Sequence, residues 1–140
     1  MESELVLETA TLKIPSFDEF IEPLMRVLYR HQNGLKTGVA YEATADAVGL
    51  STEERKEFLR SGRQEVYKNR ISWAHDRLKR AGLSQSPAWG VWQLTEKGRR
   101  LVENSPDGLS AEEIDRLARP MKYEQINKKA PIDDEAVNST

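Results

Sequence analysis

Residues 67–86 read YKNRISWAHDRLKRAGLSQS, and the spacing of their apolar members decides how the rest of the chain is arranged. At about 100° per residue, Tyr67, Ile71, Ala74, Leu78 and Ala81 fall in one stripe roughly 80° wide, the mark of a helix with one buried face. The pattern predicts a long helix from Gln64 to Ala81, closed by Gly82, since glycine readily takes the left-handed conformation that ends a helix. Lys68, Asn69, Ser72, Asp76, Lys79 and Arg80 are then expected on the outer face. Arg63 and Gln64 stand at the N-terminal end, where unpaired backbone amides attract phosphate. Amides and hydroxyls set among cations are what a recognition helix needs, the first for base edges and the second for the backbone.

Working outward, LSQSPAWGVWQLT (83–95) alternates and is broken by Pro87 and Gly90, as two short antiparallel strands around a turn would be. Ser86 begins the turn and Trp89 stands at its tip, facing out or folded back on Trp92. Upstream, IPSFDEFIEPLMRVLYRHQNG (14–34) predicts a helix with Ser16 and Glu19 as a capping box, a core face of Phe17, Phe20, Ile21, Leu24 and Leu28, and at Pro23 either a bend or the point where a loose first turn gives way to a regular one. LKTGVA (35–40) is expected to be extended and YEATADAVGL (41–50) helical up to Gly49. STEERKEFLRSG (51–62) predicts a second capped helix, with Ser51 three residues before Glu54. TEKGRRLVENS (95–105) closes the set, and SAEEIDRLA (110–118) offers a turn or two before Pro120. This order of elements predicts a mainly α winged helix-turn-helix with a small β-hairpin wing over 14–104. Residues 1–13 are expected to be a leader, either an edge strand or disordered, and 105–140 a linker and largely disordered acidic tail.

Charge must be read locally. The formal net charge is −2, but residues 51–100 hold twelve basic and six acidic side chains. Within 60–80, Arg60, Arg63, Lys68, Arg70, Arg77, Lys79 and Arg80 face only Glu65 and Asp76. A charged outer helix face is most often simply solvated. Here a wing with an aromatic tip follows at once, and such a tip can enter a groove or stack on a base. Trp73 is expected in the core, and His75 at the surface or supporting a neighbour.

Chemistry is scarce. With no Cys and two His, disulfides and zinc sites of the usual kind are excluded. No nucleophile stands with a base and an orienting group, and no phosphate-cradling glycine loop occurs. The expectation is a binding module with no catalytic residues, no metal and no cofactor. No apolar run is long enough for a membrane, and the start MESELVLETA is too acidic for a signal peptide.

IPSFDEFIEPLMRVL (14–28), ATADAVGLS (43–51), SGRQEVYKNRISWAHDRLKRAGLSQS (61–86) and GVWQLTEKGR (90–99) resemble, in order and spacing, the N-terminal domain of the Mrr family of bacterial restriction endonucleases. The resemblance implies a cytoplasmic bacterial protein of a type IV restriction system, whose winged-helix domain binds modified, typically methylated, double-stranded DNA. It also implies a separate C-terminal nuclease domain, and nothing after residue 104 resembles one; a fragment and a stand-alone reader both fit. The DNA surface it implies is the outer face of the 64–81 helix and the wing. Other uses of the same fold stay open: a docking or homodimerisation module, or a transcription regulator.

Overall fold

The computed structural model describes residues 13–127, with side chains described through Arg119. The elements are α1 (Phe17–Tyr29), β1 (Leu35–Lys36), α2 (Thr37–Ala47), α3 (Thr52–Arg55), α4 (Val66–Arg80), β2 (Ser84–Gln85), β3 (Val91–Leu94), α5 (Glu96–Glu103) and α6 (Ala111–Asn127). The fold is mainly α with a small antiparallel sheet in the order β1-β3-β2, compatible with the expected winged helix. Leu35 lies opposite Trp92, and Ser84 opposite Leu94. Trp92 and Leu94 alternate with half-buried neighbours, so the central strand turns one face to the helices.

α1 starts as the sequence predicts. The Ser16 amide donates to Glu19 Oε1 at 3.0 Å, completing the capping box. The predicted core face is buried, joined by Met25 and Val27. The helix continues unbroken through Pro23, whose missing N–H leaves the Glu19 carbonyl without its usual partner.

Three predicted boundaries move. α2 begins at Thr37, so four of the six residues of LKTGVA are helix; the Thr37 N–H donates to the Gly90 carbonyl at 2.8 Å, and strand passes directly into helix. The helix predicted over 51–62 ends after one turn, although its Ser51–Glu54 capping box forms. The chain then doubles back: the Val66 N–H donates to the Glu57 carbonyl at 2.9 Å, the Leu59 N–H to the Gln64 carbonyl at 3.0 Å, and Phe58 lies opposite Glu65. Gly62, at φ +74°, closes the turn by donating to the Leu59 carbonyl. Residues 57–66 are therefore a hairpin, and α4 starts at Val66 with Glu65 as its N-cap. Third, α6 runs for 17 residues and through Pro120. Its Ala118 is fully buried, with Ile114 and Leu117 packed on the core, so part of the segment expected to be linker belongs to the fold. The expectations for residues 1–12 and 128–140 lie outside the described residues.

α5 is seated by a close backbone approach. Thr95 Oγ1 caps the helix by accepting from the Gly98 N–H at 3.1 Å, while the Thr95 N–H donates to the Leu83 carbonyl at 3.0 Å. A Cβ on Gly98 would overlap that same carbonyl, which is rigid backbone. Gly98→Ala should therefore destabilise the domain by about 3 kcal/mol through overpacking, measurable as a lowered urea midpoint with an unchanged slope.

Candidate nucleic-acid interface

α4 carries most of the predicted site residues, and it is buried around far more of its circumference than the apolar stripe suggests. Ser72, expected outside, is 1 % exposed, and its hydroxyl lies 2.6 Å from the Tyr41 hydroxyl of α2. His75, expected at the surface, is also buried; Nε2 is 2.9 Å from Ser84 Oγ, and the ring stacks on Trp92 at 4.0 Å and 8°. Gln64 precedes the helix rather than opening it. It is buried, and its Oε1 accepts from Asn69 Nδ2 at 3.4 Å. The physical reason is shared: the stripe finds one neighbour, α1, whereas α4 also has α2 on the Ser72 side and the sheet on the His75 side. Trp73 is buried as predicted.

The cations divide in the same way. Arg70 Nη1 donates to the carbonyls of Ile14 at 2.9 Å and Pro15 at 3.1 Å. Buried Arg77 donates through Nε to the Leu117 carbonyl of α6 at 3.0 Å. Both guanidiniums fasten other segments to the back of α4. Lys68 lies 3.4 Å from the Glu65 carboxylate and within 5.9 Å of the Tyr41 and Tyr67 ring centres, held toward α2. Arg80 pairs with Asp76 at 2.9 Å but stays largely exposed, as does Lys79. Arg63 is exposed on the hairpin. The outward set is thus Arg63, a half-buried Asn69, Lys79 and Arg80, with Asn69 and Lys79 about 15 Å apart along the axis at 1.5 Å per residue.

The wing supplies the rest. Trp89 is 91 % exposed, whereas Trp92 is 2 % exposed; the tip indole does not fold back. Ser86 is exposed on the same loop. Gly90, at φ +76°, follows Trp89, and its carbonyl holds the Thr37 amide, so the loop is tied to the start of α2. Gln93 Nε2 adds a 2.8 Å bond to the Gln32 carbonyl. The wing loop brings Ser86 and Trp89 together on an anchored support that carries no charge of either sign from Leu83 to Thr95.

Burial, with a smaller contribution from the Lys79 charge, pushes the His75 pKa down to about 3, so the ring is neutral between Ser84 and Trp92. Amide donors, Ser51 first and then Lys13, hold the Glu54 carboxyl below the usual range.

A family model, the Mrr N-terminal domain, matches residues 17–104, which run from α1 to the end of α5. The chain belongs to the Mrr N-terminal domain family. The curated proteins include the type IV methyl-directed restriction enzyme EcoKMrr of Escherichia coli (strain K12), 46 % identical over 107 residues. That match takes in 76 % of this chain but 35 % of EcoKMrr, so the chain spans about a third of that relative's length. No solved structure matches. Among the described residues no helix is long and apolar enough to cross a membrane.

Two measurements test the buried positions of His75 and Ser72 on α4 of this Mrr N-terminal domain. The unfolded chain takes up a proton on His75 near pH 6.5 that the folded one refuses until about pH 3. Stability should therefore fall with acidification below pH 6.5, by about 2 kcal/mol between pH 7.5 and 5 from this residue. Denaturant titrations at both pH values should show His75→Gln less stable at pH 7.5 and less sensitive to acid. Ser72→Ala should cost about 1 kcal/mol by removing a buried hydrogen bond, with base preference in DNA-binding assays unchanged.

Proposed function

We propose that this chain is the target-recognition domain of a modification-dependent, type IV restriction protein, binding methylated double-stranded DNA and cutting nothing itself. The observation that carries the reading is the wing: an almost fully exposed indole on an anchored, uncharged loop that follows directly from a helix with exposed Lys79 and Arg80. An exposed Trp is costly in water and suits insertion into a groove or stacking on a base. Membership of the Mrr N-terminal domain family and 46 % identity to a methyl-directed restriction enzyme support the same partner.

In this reading Arg63, Lys79 and Arg80 bind phosphates, Asn69 reads a base edge with Gln64 holding its amide, and Ser86 and Trp89 engage the groove beside the wing. Lys68 contributes less than its position in the sequence suggests, because Glu65 already accompanies it. In the whole protein, a bacterial cytoplasmic one, a C-terminal nuclease domain would supply the cut. A homodimer built on the outer face of α4 would cover Asn69 and Lys79 and compete with DNA.

The test is a fluorescence-anisotropy titration of matched methylated and unmethylated duplexes across salt concentrations. Binding should weaken with salt at a log–log slope of about −0.9 per neutralised phosphate, with the methylated duplex held more tightly. Trp89→Ala should weaken binding about tenfold, as loss of one stacking contact does; Asn69→Ala should change sequence preference more than affinity. No binding at low salt overturns the reading, and equal affinities for the two duplexes remove its methylation component.

A further inference from the structure

The hairpin over 57–66 interrupts what the sequence presents as one helix after another, and Arg63 is one of two arginines at its tip. Its two strands are locked by backbone bonds at Glu57–Val66 and Leu59–Gln64. The tip is Arg60, Ser61, Gly62 and Arg63, all exposed, and the Ser61 hydroxyl accepts from the Arg63 N–H at 3.2 Å. No carboxylate lies between Leu59 and Gln64. The acids at its base are Glu57, which is exposed, and Glu65, which accompanies Lys68. Half-exposed Phe58 adds an apolar edge opposite Glu65.

Position gives this tip its meaning. The hairpin enters α4 with no intervening loop, because Glu65 is both a strand partner and the helix N-cap. The wing leaves from the other end of the same helix. Fifteen residues at 1.5 Å make α4 about 22 Å long, more than the roughly 12 Å width of a B-DNA major groove. Laid across the groove rather than along it, a helix of that length would overhang both bordering strands. Lys79, Arg80 and the wing stand at one overhang; the two-arginine tip stands at the other.

We infer that the 57–66 hairpin is a second DNA-contacting arm, which clamps backbone phosphates at the N-terminal end of α4 while the wing engages the duplex at the far end. The inference rests on the DNA-binding reading above and extends it from Arg63 alone to the hairpin as a unit, with Arg60 as its second phosphate ligand. Guanidiniums suit the task because each presents a planar fork to phosphate oxygens. The arm supplies affinity and registration and reads no base, since phosphate contacts carry no sequence information.

The test compares Arg60→Gln, the double variant Arg60→Gln/Arg63→Gln, and Arg116→Gln on the exposed face of α6, each titrated with the methylated and unmethylated duplexes across salt and checked for folding by circular dichroism and melting. The double variant should melt as the wild type does and lose about 1.8 from the magnitude of the log–log salt slope, two phosphates at 0.9 each. Arg60→Gln alone should lose about half of that, and serves should the double variant fold poorly. Arg116→Gln should leave the slope unchanged, and the ratio between the two duplexes should hold in every variant. An unchanged slope in a folded Arg60→Gln variant overturns the arm, as does an equal loss in Arg116→Gln. A changed duplex ratio overturns its role as a phosphate clamp. Failure of the wild type itself to bind at low salt would instead remove the DNA-binding reading on which the arm depends.

Discussion

Trp92 sits where the sheet, α2 and α4 meet, and the packing of these three elements passes through it. On the central strand it faces Leu35 of β1; the His75 ring of α4 stacks on it at 4.0 Å, and the Tyr41 ring of α2 meets it edge-on at 5.6 Å. Tyr41 then reaches Ser72 of α4 through its hydroxyl, which closes a loop of contacts among the three elements. Aromatic pairs of this kind have preferred angles as well as favourable burial. They set the direction in which the wing leaves the helix, not only the strength with which it is held. The neutral state of His75 belongs to the same arrangement, since a protonated ring sandwiched between an indole and a buried hydroxyl would lack the water it needs.

Part of the basic composition of α4 holds the fold together. Arg70 and Arg77 spend their guanidiniums on backbone carbonyls of Ile14, Pro15 and Leu117. Charge-assisted bonds of this sort are worth about 1.5–3 kcal/mol each, and removing Arg77 would also leave a void at a buried position. Lys68 leans on tyrosine rings beside Glu65. A local excess of positive charge in the sequence therefore overstates the charge available to a partner. What reaches the surface is concentrated at the two ends of α4, in Lys79 and Arg80 and in the hairpin tip.

The sequence announced those features whose signal is local. The capping boxes at Ser16 and Ser51 are four-residue patterns, and both form. The Pro-Ala-Trp-Gly turn is punctuated by residues whose backbone preferences are strong, and it carries Trp89 outward. Features that depend on a second or third neighbour were hidden. Ser72 is polar, and nothing in its spacing records that Tyr41 will cover it. Helical periodicity for 51–62 fails because the hairpin strands pair over only about three residues each, too short for a two-residue alternation to register, and Ser61-Gly62 ends a helix as readily as it turns a hairpin. In α6, Ile114, Leu117 and Ala118 already had helical spacing, but Pro120 reads as a stop although the helix passes through it.

Both boundaries of the family match fall inside the packed fold. Before residue 17, the Ile14 and Pro15 carbonyls are held by Arg70, and the Lys13 N–H donates to the buried Glu54 carboxylate at 3.1 Å. After residue 104, Arg26 of α1 donates to the Ser105 carbonyl, Glu22 accepts from the Leu109 N–H at 3.1 Å, and Arg77 holds α6. α6 is thereby fixed to α1 by its approach and to α4 by its body. Shifting it would strip a buried guanidinium of its carbonyl partner, at the cost of leaving a charge poorly solvated. The back of α4 and the body of α6 are thus joined through Arg77, on the same helix that presents Asn69, Lys79 and Arg80 outward.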